Sequence, residues 1–297
     1  MKKRFAKWAQ IVRAQYMTLP IVLSFLGNAY AWHIGKFNGT TAFLSLVGLM
    51  LAHMSVNVIN DYFDHKSGID SLVERSPFNG GSGSIQESII TPKETLRVGL
   101  MLLFVAALIG VYFLITVSWM LLPLLFLSAF FVIAYSPILL KHTFAEWSAG
   151  LGLGSFPIIG IIFVQTGVYS LPMLLISIPS AVLVHHLLLI NEIPDEKADR
   201  VANRKTFPIM FGKKATMNYY FYLTLLMYVF ILVGCLFALF PYWCLLSFAT
   251  LPLVFKVVKL AGQPLETFQP VQQINVMHIH LTQILLGVGF LLAGKVI

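Results

Sequence analysis

Apolar and polar positions in this chain come in long blocks. Nine blocks approach the roughly 20 mostly apolar residues a bilayer-crossing helix needs, at 16–35, 41–60, 96–116, 118–136, 146–167, 171–191, 215–239, 241–259 and 277–296. Very short links, such as Val117 to Ser118 and Pro241 after Phe240, predict tight turns between antiparallel helices. Four links are longer and polar: 61–95, 137–145, 192–214 and 260–276. The pattern predicts an all-α integral membrane protein, a single domain over 1–297.

Composition supports this and excludes a soluble chain. Charged residues are 11% of the total and hydrophobic residues 58%, whereas globular domains carry roughly 25% charged residues. The formal charge of +8 points to no nucleic-acid partner, because the basic residues sit between apolar blocks, where membrane topology accounts for them. With a cytoplasmic N-terminus, 18 of the 20 Lys and Arg fall on the cytoplasmic side, and only Lys36 and Lys295 lie opposite. The same count puts the C-terminus outside. The N-terminus imitates a signal peptide, with Lys2, Lys3 and Arg4 before an apolar run and Ala29-Tyr30-Ala31 after it. Its basic stretch is long for a signal, so an uncleaved first helix is expected. Cys235 and Cys244 lie in or beside apolar runs and read as packing residues.

The chain has five Asp, and all fall in two short stretches. In Asn-Val-Ile-Asn-Asp-Tyr-Phe-Asp-His-Lys-Ser-Gly-Ile-Asp, residues 57–70, the positions Asn57, Asn60, Asp61 and Asp64 share one helical face. The second stretch, Asn-Glu-Ile-Pro-Asp-Glu-Lys-Ala-Asp, carries Asn191, Asp195 and Asp199, with Pro194 expected to start a new helical segment. Asn60-x-x-x-Asp64 and Asn191-x-x-x-Asp195 form a weak repeat four spans apart. Both end an apolar run, and parity brings both to one membrane face. This predicts two similar four-helix halves around a central cavity, under a polar cap from the segments after helices 2 and 6.

Carboxylates at the edge of a lipid-embedded helix are costly and mark function. Two facing oxygen-rich clusters suit Mg²⁺, which keeps several waters and completes its shell with substrate phosphate. The nearby cations Arg75, Lys141, Arg200, Arg204 and Lys205 fit a diphosphate, and Gly80-Gly81-Ser82-Gly83 offers backbone N–H groups. Metal, diphosphate and apolar walls inside a bilayer together imply a polyprenyl diphosphate substrate.

Asn-Asp-Tyr-Phe-Asp-x5-Asp, then Gly-Gly-Ser-Gly, then Asn-Glu-Ile-Pro-Asp-x3-Asp resembles the UbiA superfamily of intramembrane aromatic prenyltransferases over nearly the whole chain. The resemblance implies a nine-helix bundle whose cavity opens sideways to lipid. It implies that Asn60, Asp64, Asn191, Asp195 and Asp199 hold Mg²⁺ and diphosphate, with Asp61 and Asp70 in support. Tyr135 and Lys141 resemble the family's tyrosine–lysine pair near the diphosphate, and Arg13 resembles a family arginine before the first helix. Asp64, Asp195, Tyr135 and Lys141 are the catalytic candidates; Arg13, His53 and Asn57 are candidates for the aromatic acceptor. The Gly-Ile-Asp ending and the glycine loop look most like the branch that prenylates 1,4-dihydroxy-2-naphthoate in menaquinone synthesis. One departure is Asn203-Arg204-Lys205-Thr206, where that branch reads Gly-Lys-Arg-Thr.

Other acceptors such as 4-hydroxybenzoate, a terpene cyclase on the same scaffold, and a membrane transporter are the alternatives. The motifs lie at one face rather than the midplane, which argues against transport. His185 and His186 are adjacent and expected to face apart; His278 and His280 share no face. Neither pair reads as a metal site.

Overall fold

The computed structural model describes residues 2–69, 82–142 and 145–295. Eleven α-helices follow in order: α1 Lys2–Ile11, α2 Thr18–His33, α3 Gly39–Ser67, α4 Pro92–Thr116, α5 Leu122–Ala134, α6 Ala145–Ala149, α7 Phe156–Thr166, α8 Leu171–Val201, α9 Phe207–Leu236, α10 Leu251–Ala261 and α11 Gln269–Leu292. Proline stands in the first turn of α4, α5, α7, α8, α9, α10 and α11, where its missing N–H costs nothing. Asn38, Thr91 and Ser170 cap α3, α4 and α8 by accepting a backbone N–H three residues on.

Among the described residues, seven segments are long and apolar enough to cross a bilayer: Gly39–Ser67, Pro92–Thr116, Ala145–Thr166, Leu171–Val201, Phe207–Leu236, Tyr242–Ala261 and Gln269–Leu292. The expected spans 16–35 and 118–136 correspond to shorter helices, the 16-residue α2 and the segment Trp119–Ala134. The chain is an integral membrane protein. Its outward faces show this directly: Ile115 is 80% exposed and Phe126 73%, which water would not tolerate on this scale but lipid does.

Two details position the site. Gly68 adopts φ 76° and ends α3 at Ser67, so the first motif occupies the last turns of a helix. α8 runs 31 residues, straight through Pro179 and Pro194. The expected restart at Pro194 does not occur; neighbouring helices hold the segment despite the lost backbone bond. The second motif therefore extends α8 beyond the apolar block.

α6 and α7 join through a wider π turn at Gly150–Ser155, which lies against α8. A Cβ on Gly150 would sit 2.6 Å from the Ala181 carbonyl oxygen, and one on Gly154 2.5 Å from that of Ser180. Glycine permits this backbone-to-backbone approach. Between α8, α9 and α11 runs a buried polar seam. Here Thr224 pairs with His186 Nε2 at 2.9 Å, Tyr228 with His278 Nε2 at 3.0 Å, and Ser180 donates to Gln283 at 2.8 Å. His185 and His186 do not face apart: their Nδ1 atoms lie 3.2 Å from each other, because the seam draws both rings inward.

Candidate active site

The end of α3 and the extension of α8 converge on a cavity of about 170 Å³. Its polar mouth is lined by Asn57, Asn60, Asp64, Asn191, Glu192, Asp195, Asp199 and Arg204; Arg13, Tyr16, His53 and Tyr135 line a further wall. Leu19, Val56, Ala149, Leu153, Val184, Leu187 and Leu188 make the rest apolar. The two motifs meet at one end of the bundle, as their repeat and parity require.

Helical spacing sets the local geometry. Asn60 Nδ2 donates to Asp64 Oδ2 at 2.8 Å, one turn on, and Ser136 Oγ donates to Asn60 Oδ1 at 2.7 Å. Asn57 donates weakly to the Val12 carbonyl at 3.4 Å, joining α3 to the turn that carries Arg13. Across the mouth, Gln272 of α11 donates to Asn191 Oδ1 at 3.1 Å. Asp61 behaves differently. It is buried and accepts from Ser82 N at 3.0 Å and Ser82 Oγ at 2.7 Å, so it anchors the following loop, outside the cavity lining.

Arg204 closes the mouth. Its guanidinium forms an ion pair with Asp64 and a second with Asp199 at 3.0 Å, linking the two motifs. The backbone places it there. Asn203 takes a left-handed φ of 55°, and the Arg204 N–H returns to the Asp199 carbonyl at 2.9 Å, a helix-ending turn that glycine or asparagine supports. Burial works against the charged guanidinium, but Asp64 and Asp199 outweigh it and raise the Arg204 pKa above its ordinary value.

Three other expected diphosphate cations, Lys141, Arg200 and Lys205, do not line the cavity. Arg200 turns outward to Glu196 at 2.9 Å, as i,i+4 partners on an exposed face do. Lys141 and Lys205 are exposed; Lys205 reaches the neighbouring turn only through its backbone N–H, at 3.4 Å from the Leu140 carbonyl. Asp70, Arg75, Gly80 and Gly81 lie outside the described residues.

Residue types test whether a divalent metal fits. The lining holds four carboxyl groups, Asp64, Glu192, Asp195 and Asp199, against two guanidinium groups, Arg13 and Arg204. Among the described residues no three His, Cys, Asp or Glu side chains converge into a ready-made cage. This donor set fits a hard cation that takes one or two carboxylates and fills its shell with water and phosphate. It does not fit a fully caged structural ion.

Sequence reading passed over Tyr16, Ser136, Gln272 and Glu192. Glu192 alone carried a signal, being three and seven residues before Asp195 and Asp199 on one helix.

Relatives agree with this architecture. The chain is 29% identical over 212 residues to a 1,4-dihydroxy-2-naphthoate octaprenyltransferase of Bacillus subtilis (strain 168), covering 70% of this chain and 67% of that protein. It is 27% identical over 224 residues to the protein of the same name in Haemophilus influenzae, covering 71% of each chain. Its fold resembles that of an apo UbiA homolog from Aeropyrum pernix K1, with TM-score 0.74, 16% identity and coverage of 94% and 98% of the two chains. It also resembles a UbiA homolog from Archaeoglobus fulgidus bound to DMAPP and Mg²⁺, with TM-score 0.63, 12% identity and coverage of 95% and 99%. The model of the UbiA prenyltransferase family matches residues 19–268, and the chain belongs to that family: it is an integral-membrane prenyltransferase.

Proposed function

We propose that this chain transfers a polyprenyl group from an isoprenyl diphosphate to 1,4-dihydroxy-2-naphthoate, with Mg²⁺, in membrane quinone synthesis. The observation that carries this is a cavity with two oxygen-rich motifs at its mouth and aliphatic walls below. The relatives' name supports the acceptor, and the DMAPP and Mg²⁺ of the structural relative support the donor and metal.

In this reading Asn60, Asp64, Asn191, Asp195 and Asp199 hold Mg²⁺, while Asp61 and Asp70 stabilise the first motif. When bound, Mg²⁺ supplies positive charge that stabilises the departing diphosphate. Arg204 gives N–H donors to the same oxygens, with Lys141, Arg200 and Lys205 outside the mouth and Arg75 as a further cation toward the diphosphate. The C1–O bond of the prenyl chain breaks, its electron pair leaving with the diphosphate. Tyr135 borders the reacting carbon, and Leu153, Val184, Leu187 and Leu188 keep water from the allylic cation until a ring carbon attacks; that carbon then releases H⁺, or CO₂ where it carries the carboxylate, to restore the aromatic ring. Arg13 pairs with the acceptor's carboxylate, beside His53 and Asn57. All nine apolar segments cross the bilayer as two four-helix halves plus a final helix within one domain over 1–297. The motifs cap the cytoplasmic face, an orientation supported by the basic residues.

The test is a panel of aromatic acceptors incubated with purified protein, Mg²⁺ and one labelled prenyl diphosphate. Prenylated naphthoate and released diphosphate are expected. Robust transfer to 4-hydroxybenzoate with none to the naphthoate would reassign the acceptor, and a cyclised hydrocarbon would reassign the reaction.

A further inference from the structure

One carboxyl group at the cavity has no part in the mechanism above. Glu192 lines the cavity and is 4% exposed. Neither of its oxygens has an aligned hydrogen-bond donor among the described residues. A buried carboxyl without donors is costly, and native structures rarely keep one without a use. Its neighbour Glu146 can share at most one proton with it, and that side chain also accepts the Phe207 N–H at 2.5 Å. One shared proton leaves acceptor lone pairs of Glu192 unfilled, and a donor bound in the cavity can reach them.

Position narrows the choice. Glu192 lies about one helical turn before Asp195 and two before Asp199. It stands at the boundary between the polar mouth and the apolar walls of Val184, Leu187 and Leu188. A diphosphate is excluded there by charge. A flat apolar molecule with an O–H on its edge satisfies both the walls and the carboxyl.

We propose that Glu192 recognises the aromatic acceptor, its carboxyl accepting a hydrogen bond from a ring hydroxyl. The ring is then held at the level where the prenyl carbon is released. A hydroxyl in that bond also enriches the ring carbons ortho and para to it, the positions that attack a cation. This assignment rests on the prenyl-transfer reading.

The test uses the purified full chain, Glu192→Gln and Glu192→Leu. Dissociation constants are measured for 1,4-dihydroxy-2-naphthoate and for its analogues lacking one hydroxyl, with Mg²⁺ and a non-cleavable prenyl thiolodiphosphate present. Binding of the thiolodiphosphate itself is measured in parallel. In the wild type, losing one of the two hydroxyls should weaken binding about 10–100-fold, the range for leaving a buried hydrogen-bond partner unpaired. In Glu192→Leu the same loss should cost under about threefold, and in Glu192→Gln an intermediate amount, in the manner of a double-mutant cycle. Thiolodiphosphate binding should stay unchanged in both. A wild-type ratio retained in Glu192→Leu overturns the proposal. If that variant does not fold, a wild-type ratio in Glu192→Gln overturns it. Loss of thiolodiphosphate binding in Glu192→Gln also overturns it, by moving the residue to the metal. A wild type that binds no prenyl diphosphate and transfers no prenyl group refutes the functional reading itself, a separate outcome from a change in hydroxyl preference.

Discussion

Asp64 and Arg204 are 140 residues apart in the chain and form a direct ion pair across the cavity mouth. The same guanidinium holds Asp199 at 3.0 Å. One side-chain cation thus stands between the two motifs, where the proposed function requires Mg²⁺ and diphosphate to enter. The carboxylates are compensated in either state, by the guanidinium or by the metal.

Arg204→Gln should therefore destabilise the metal-free protein more than the metal-loaded one. Breaking a buried ion pair at one partner costs about 3–5 kcal/mol. Because these side chains border a cavity, about 2–3 kcal/mol is the expected loss without Mg²⁺. Thermal unfolding in detergent with and without Mg²⁺ measures this, and Mg²⁺ should restore part of the lost stability. Arg204→Lys, which keeps the charge but cannot span both carboxylates, should fall between. Equal unfolding of Arg204→Gln and wild type without Mg²⁺ would show that the pair carries no stability.

Asp64→Asn and Asp195→Asn keep shape and remove one anionic oxygen each. Losing one transition-state contact of ~3–4 kcal/mol lowers turnover roughly 10²–10³-fold. The Mg²⁺ concentration for half-maximal rate should rise in both, with partial rescue at high Mg²⁺. Near-normal turnover with an unshifted Mg²⁺ dependence would remove these aspartates from the metal site.

Gly154→Ala tests the packing that carries the second motif. The added Cβ would lie 2.5 Å from the Ser180 carbonyl oxygen and 2.9 Å from its carbon, both backbone atoms that cannot rotate aside. α8 must shift, at about 1–3 kcal/mol. Because α8 also carries Asn191, Asp195 and Asp199, turnover should fall together with the melting temperature. Unaltered activity at reduced stability would mean that the strain relaxes away from the motif.

A reporter fused after Ile297 should read as external and one before Met1 as cytoplasmic, since 18 of 20 basic residues fall on the cytoplasmic side of a nine-span path. A cytoplasmic C-terminal reporter would mean an even number of crossings.

Much of this protein is written in local order. Block lengths set which segments are long and apolar enough to cross a bilayer, and the i, i+3, i+4, i+7 spacing puts Asn57, Asn60, Asp61 and Asp64 on one helical face. Prolines and capping residues mark where helices begin, and Gly68 marks where α3 ends. All these are properties of a few neighbouring residues, so sequence alone determines them. Tertiary structure decided the rest. Spacing fixes the directions of side chains relative to one another on a helix, but not how that helix is rotated against its partners. Hence Asp61 could turn to Ser82 while Asp64, three residues on, faces the cavity. Of the four expected cations among the described residues, only Arg204 lines the cavity, because the Asn203 turn folds it back over α8. Glu192 and Pro194 were misjudged for the same reason. Whether a carboxyl is left without donors, and whether a helix survives a proline, depends on what distant segments pack around it, and no local pattern records that.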